Sequence, residues 1–297
     1  MKFKVVKLYP KGPFRNIPRS TTLFGALANA VAYLYGEDEI SAFIKGFSEA
    51  RISSLFPFSQ ETYFLPKPLT FDINLAKLAR RYLKGECGSK CFKDRERNRA
   101  LIELKKIKGK KFVPLEYFEK TINGEEVSIK KYPEPYRLVE VPKVSLDRVT
   151  ANSSIYFWDG IAFKENSGLY FLYKGSKEFF EKYIVPAISF LGDHGIGGKA
   201  TWGYGLFRAE IDELEIRTPS GDSFVTLSLT YPSNPASLKY WKIEKVGGWT
   251  LGKRKPKIPF VVEGSILDED PGKMIELNLG RKIYVYGLSF LIPTKIL

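Results

Sequence analysis

Fourteen residues hold the densest chemistry in the chain: Gly192-Asp193-His194-Gly195-Ile196-Gly197-Gly198-Lys199-Ala200-Thr201-Trp202-Gly203-Tyr204-Gly205, with six glycines, one lysine, two aromatic rings and the only histidine. Glycines at this density let the backbone take positive φ and come close to another molecule. Successive amide N–H groups in such a turn form a concave nest for an anion, most often a phosphate. Lys199 adds a point charge, and Trp202 and Tyr204 offer faces on which a base can stack. The alternative fate of a strand-start aromatic is to point into the core. A Walker A loop is excluded, because Lys199 is followed by Ala200 and Asp193 stands where the first glycine belongs. A dinucleotide fingerprint must follow a strand and open a helix. Here the helical spacing of Phe180, Tyr183, Ile184, Ala187, Ile188 and Leu191 comes first, and the alternation from Tyr204 to Glu210 comes after. The plain reading is a tight helix-to-strand connection.

Other residues compete for a role. His194 has the titration range of a general acid or base, but no second acid or lysine is spaced to complete a cleaving site. Cys87 and Cys91 would supply two zinc ligands where a structural zinc needs four, and reduced thiols or a disulfide are the other options for them. Asp159, Glu165 and Asp193 are scattered acids, with no paired-carboxylate pattern. No metal, no cofactor and no catalytic residue is therefore expected. Arg15, Arg19 and Ser20 flank the start of the first helix, and a helix N-terminus is itself an anion site. Ser20 or Thr21 as a simple cap explains the hydroxyls equally well. Arg148 is a good phosphate fork, with an ion pair to Asp147 as the alternative. Lys67 sits in the stiff Pro66–Pro68 turn.

The net charge of +14 calls for a polyanionic partner, nucleic acid before membrane. From Lys77 to Lys111 fourteen basic residues face four acidic ones, so most of the excess lies in one segment. That segment is either an RNA-tracking thumb or a solvated face. No run of about 18 apolar residues is present, and none is expected to cross a membrane. The start of the chain lacks a signal-peptide pattern, so a cytoplasmic location is expected.

Residues 2–9 alternate as a strand, and Leu23, Leu27, Ala30, Val31 and Leu34 mark a helix ending before Gly36. A short helix is expected over 39–49, short strands over 52–71, and a strand edge leading into a helix over 110–120. The polar, proline-rich stretch 121–143 reads as mobile. Residues 144–175 read as a hairpin turning at Asn166-Ser167-Gly168, and Pro186 should kink or shorten the next helix. With 72–143 set aside, the order to Ile216 is strand–helix, hairpin, helix–strand, the β-α-β-β-α-β ferredoxin-like plan of RNA-recognition domains. The expected fold is α+β with two ferredoxin-like (RRM-like) domains. Residues 1–217 form the first, with the basic insertion at about 72–143. Residues 218–297 form the second.

The run GIGGKATWGYGLF resembles the glycine-rich loop of the RAMP superfamily of CRISPR RNA-binding proteins. More narrowly, IPRSTTLFGALANAV, LFPFSQETYFLPKPL, LKKIKGKKFVPLEYFEK and VSLDRVTANSSIYF are similar, in order, to the RAMP subunit at the foot of the type III-A (Csm) effector. The resemblance covers both ends of the chain and most of the middle. It departs at Ser20-Thr21-Thr22-Leu23, where the family often has an aspartate after the serine, and it says little about the CGSKC segment. It implies a non-catalytic scaffold that binds the 5′ handle of the guide RNA (crRNA) and meets target RNA indirectly. It also implies docking to the large polymerase-like subunit and to a backbone RAMP subunit. The RNA-binding set expected from residues and resemblance together is Arg15, Arg19, Ser20, Lys67, Arg148, Gly195, Gly197, Gly198, Lys199, Thr201, Trp202 and Tyr204. The runner-up function is a metal-independent CRISPR-repeat endoribonuclease using His194. A third reading is a platform whose basic face meets an acidic protein.

Overall fold

The structure is a computed structural model that describes residues 1–84, 102–127, 132–250 and 252–295. Cys87, Cys91 and the most basic part of the insertion lie outside the described residues. Strand β1 (Lys2–Pro10) is the spine. It pairs antiparallel with β8 (Ser167–Lys174) on one side and β9 (Phe207–Glu215) on the other, with Val6 opposite both Phe171 and Ile211. Beyond β8 the sheet continues through β3 (Phe56–Ser59), β4 (Thr62–Pro66) and β5 (Phe112–Pro114), and β2 (Arg51–Ile52) also pairs with β8. Side chains alternate across a strand, and here both faces are covered. Val6, Leu8, Leu169 and Phe171 pack against the helices, while Phe3, Val5, Tyr170 and Leu172 pack the other way. That is why β8 is buried along all but its last residue.

The face of Val6 and Phe171 carries α1 (Ser20–Tyr35) and α2 (Ile40–Gly46), while α3 (Phe71–Lys84), α4 (102–108) and α5 (Leu115–Ile122) bury Phe71, Leu104 and Phe118 in the core on the opposite face. The last helical stretch begins as α6 (Lys177–Phe179), passes through a π turn (Phe180–Ile184) and ends as α7 (Val185–His194). The expected disturbance at Pro186 is this π turn. A proline has no N–H for the carbonyl four residues back, and that carbonyl, Lys182 O, accepts instead from the Tyr35 hydroxyl at 2.9 Å.

Two expectations are corrected. Residues 136–146 are ordered as β6 (Tyr136–Leu146), which pairs along its whole length with β7 (Ser153–Phe163). The hairpin therefore turns at 147–152. The Asn166 turn joins β7 to β8 without pairing them, since β8 finds its partners in β1, β2 and β3. The pattern showed where strands lie and left their partners open.

After β9 come β10 (Ser223–Thr226), β11 (Leu238–Tyr240), β12 (Ile243–Thr250), β13 (Lys253–Val261), β14 (Ile266–Leu267), β15 (Ile275–Asn278), β16 (Lys282–Val285) and β17 (Leu291–Thr294). Four of them form a sheet in the order β11-β14-β10-β17, and β12–β13 and β15–β16 are separate hairpins. Among the described residues of this part there is no α-helix, so the helices of a second ferredoxin-like unit are missing from it. Its apolar side chains lie on the first sheet instead: Val225, Leu227, Ile266, Phe290 and Ile292 share one core with Phe3, Val5 and Leu172.

Candidate nucleic-acid interface

Helix α7 runs out at His194 because Gly195 turns to φ 82° and its N–H closes on Leu191 O at 2.7 Å. The loop is then pinned at both ends. Ile196 N–H donates to Gly205 O at 3.0 Å, and Gly205 N–H to Pro13 O at 2.9 Å. Gly205 stands at φ 75°, where any Cβ would overlap the Ile196 carbonyl oxygen. Between the pins, Gly197 and Lys199 take positive φ and Gly198 does not. Backbone of alternating hand turns successive N–H groups toward one point. The amides of Gly197, Gly198 and Lys199 have no hydrogen-bond partner among the described residues. A left-handed lysine costs about 1–3 kcal/mol, and the surrounding contacts hold it there. Its carbonyl accepts from Trp202 N–H at 2.9 Å, which closes a single 3₁₀ turn over Ala200–Trp202.

The β6–β7 arm completes the surface. Trp158 lies under the Lys199 ammonium, 4.0 Å from ring centre to Nζ, and meets Trp202 edge-on at 4.9 Å. Lys143 sits 5.7 Å from the Trp158 ring and 5.8 Å from Trp202, with Tyr156 beside Trp158 at 5.9 Å. A cation over an indole face is held by the ring quadrupole, so the two lysines are aimed, with no carboxylate among the described residues to neutralise them. Gly160 permits this approach: a Cβ there would press on the Tyr204 ring at 3.3 Å. Arg15 flanks the loop, its Cγ 3.4 Å from where a Gly198 side chain would begin, and it holds the arm through the Asp159 carbonyl oxygen and carboxylate. The open side of this arrangement presents three free amides, Lys143, Lys199, the Arg15 guanidinium and an indole that is 54% exposed at Trp202. It can take a phosphate and stack a base beside it.

Of the residues singled out from sequence, Arg15, Gly195, Gly197, Gly198, Lys199, Thr201 and Trp202 meet here. Tyr204 lies beneath rather than on the surface, 1% exposed, its ring against Trp158 and its hydroxyl buried without a partner among the described residues. Arg148 is exposed at the tip of the arm, about 17 Å beyond Trp158 by strand rise. There Asp147 caps the turn by accepting from Val149 N–H at 2.8 Å, which lowers its carboxyl; it makes no ion pair with Arg148 among the described residues.

Three residues are committed elsewhere. Arg19 is the N-cap of α1 and makes no side-chain cap. It forks onto Glu263 at 2.5 and 2.9 Å and reaches Glu244 at 2.8 Å. Burial alone would raise the Glu263 carboxyl, but Arg19 and the Ser54 hydroxyl outweigh it and the group ends below the ordinary carboxylate range. Ser20 is fully buried and accepts from Leu229 N–H at 3.0 Å. It ties the start of α1 to the segment after β10 instead of capping the helix. Lys67 donates to Asp72 at 2.9 Å and to Lys108 O at 2.6 Å, which ties the proline turn to α3 and α4. His194 stacks on Phe190 at 3.7 Å with Nδ1 2.9 Å from Phe190 O, and neighbouring Asp193 pairs with Lys11. Those surroundings lend the endoribonuclease reading no support. Among the described residues no cluster of three or more metal-ligating side chains forms. Sequence reasoning missed Lys143, Tyr156 and Trp158. Their signal was the alternation Tyr156, Trp158, Gly160 on one strand face, visible only once β7 is paired with β6.

Residues 17–208 match the RAMP superfamily. The chain is 46% identical over 294 residues to the CRISPR system Cms protein Csm4 of Thermococcus onnurineus (strain NA1), with 97% of this chain and 96% of that protein covered. Its fold is similar to a chain in the crystal structure of a Csm1–Csm4 cassette in complex with cA4, at TM-score 0.76 and 38% identity, covering 100% of this chain and 99% of the other. A chain in the crystal structure of a Csm3–Csm4 subcomplex of the type III-A CRISPR–Cas interference complex has the same fold at TM-score 0.60 and 23% identity, covering 99% and 100%.

Proposed function

Because the chain belongs to the RAMP superfamily, we propose that it is the non-catalytic RNA-binding scaffold of a type III-A (Csm) CRISPR interference complex. It grips the 5′ handle of the crRNA and docks the large polymerase-like subunit and a backbone RAMP subunit. Target RNA meets it only through the guide. The relative solved together with Csm1 supports the first docking role.

The observation that carries the RNA role is the convergence of loop and arm: free amides of Gly197, Gly198 and Lys199 beside two unneutralised lysines and an open indole. Single-stranded RNA is held by such stacking and backbone contacts, and in these effectors base pairing reads the target while protein holds the guide's shape. Residues 1–217 are read as the ferredoxin-like RAMP unit. The order β9-β1-β8-β3 with α1 and α7 against one face supports this reading, the insertion at 72–143 adds α3, α4, β5, α5 and most of β6, and 218–297 are read as the second unit. No described helix is long and apolar enough to cross a membrane, and a guide-loaded effector meets transcripts in the cytoplasm.

The test is reconstitution with the large subunit and a crRNA carrying its repeat-derived handle. Retention of handle RNA should depend on this chain, and repeat RNA should not be cut without metal. Retention by the other subunits alone, or discrete cleavage lost in His194→Ala, would overturn the reading.

A further inference from the structure

The β12–β13 hairpin has no part in the interface above, yet it is built of the same materials. From Lys239 to Lys257 the chain carries seven basic residues and one acid, Glu244, which Arg19 already holds. Lys239 pairs with Asp268 and Lys253 donates to Leu279 O. Lys242, Lys245, Arg254, Lys255 and Lys257 have no ion pair among the described residues. Lys255 lies half-buried along Gly248, and burial lowers its ammonium below the ordinary lysine range with nothing opposite to restore it. Trp249 stands 72% exposed near the tip, directly across from Arg254. An indole left in water contributes nothing to the core and is suited to a flat partner.

Two features separate a nucleic acid from a protein strand as that partner. Pro256 and Pro259 remove N–H donors from β13, and the ladder slips register between Val246 and Gly248. Both blunt the edge against an added strand. Lone cations around an open ring match a phosphate chain with unstacked bases. The hairpin also starts beside the glycine loop. Pro18 lies 3.5 Å from where a Gly197 side chain would begin, and the next residue, Arg19, holds Glu244 at the foot of β12.

We propose that β12–β13 is a second RNA-contacting arm, which takes single-stranded RNA where it leaves the glycine loop: Trp249 stacks on a base, and Arg254 and Lys257 hold flanking phosphates. The inference extends the scaffold reading but stands on separate residues.

The test is fluorescence anisotropy of a labelled oligouridylate with the full chain across a salt series. Trp249→Ala weakens binding about 5- to 100-fold with the salt slope unchanged, and Trp249→Phe restores most of it. Arg254→Ala with Lys257→Ala lowers the slope by about 1.4, at roughly 0.7 per phosphate on a single strand. Trp249→Ala should melt with the parent, because its ring is exposed. Unchanged affinity and slope in both variants would overturn the inference, and so would unchanged RNA binding with loss of the polymerase-like subunit. Lys199→Ala with Trp202→Ala, run in parallel, separates the two ideas. Loss there alone keeps the scaffold reading and sinks the arm, and loss in the hairpin alone does the reverse.

Discussion

The start of α1 and the loop after α7 offer the same ingredients: a basic residue, a hydroxyl and unpaired backbone at a helix end. Their fates are opposite. At α1, Arg19 finds Glu263, whose side chain is 5% exposed, and Ser20 finds the Leu229 amide, so the charge and the hydroxyl are consumed in fastening the start of α1 to the C-terminal part of the chain. At the glycine loop Lys199 lies over the Trp158 ring and makes no ion pair among the described residues, so its charge stays available. For these two cations, what separates a fastening from an available charge is whether a carboxylate lies within reach, and for Arg19 that carboxylate comes from a residue more than two hundred positions away.

The contrast can be broken most forcefully at the fastening. Arg19→Ala leaves Glu263 buried and unpaired, and breaking a buried pair costs about 3–5 kcal/mol. The melting midpoint should drop steeply, while RNA binding of the protein that remains folded should hold. Gly205→Ala comes next. The Cβ overlaps Ile196 O at a positive φ, and strain of about 1–3 kcal/mol is expected, read as a lower midpoint together with weaker RNA retention as the loop is pushed out of shape. Arg148→Ala should change little: one exposed phosphate contact lowers the salt slope by about 0.7 without moving the midpoint. The smallest effect sharpens the contrast through pH. Because the Glu263 carboxyl is held low in the folded chain, its contribution is complete above about pH 4.3, the unfolded value, and is lost as pH falls through the folded value. Stability measured between neutral and acid pH should therefore fall less steeply in Glu263→Gln than in the parent.

The first half of the fold was legible because its signals are local. Alternation in β1, the 3–4 spacing of α1 and the glycine run each report one element. Partners were not legible. The β6–β7 pairing, which brings Trp158 and Lys143 to the loop, depends on β8 being taken by β1, β2 and β3. The same limit explains Arg19, Ser20 and Lys67. Their residue types fit an anion site, and only tertiary contacts reveal that acids, amides and carbonyls of the chain already occupy them. Tyr204 was ambiguous for a simpler reason: an aromatic at a strand start faces in or out by one residue of register.

Ultraviolet crosslinking of the assembled complex to its own guide RNA, with peptides read by mass spectrometry, tests the central claim most directly. The account predicts crosslinks on the peptides carrying Trp158 and on those spanning Gly197 to Trp202, with the loop crosslinks lost in Lys199→Ala combined with Trp202→Ala. Guide RNA crosslinked elsewhere on the chain, with neither of those peptides labelled, would contradict it.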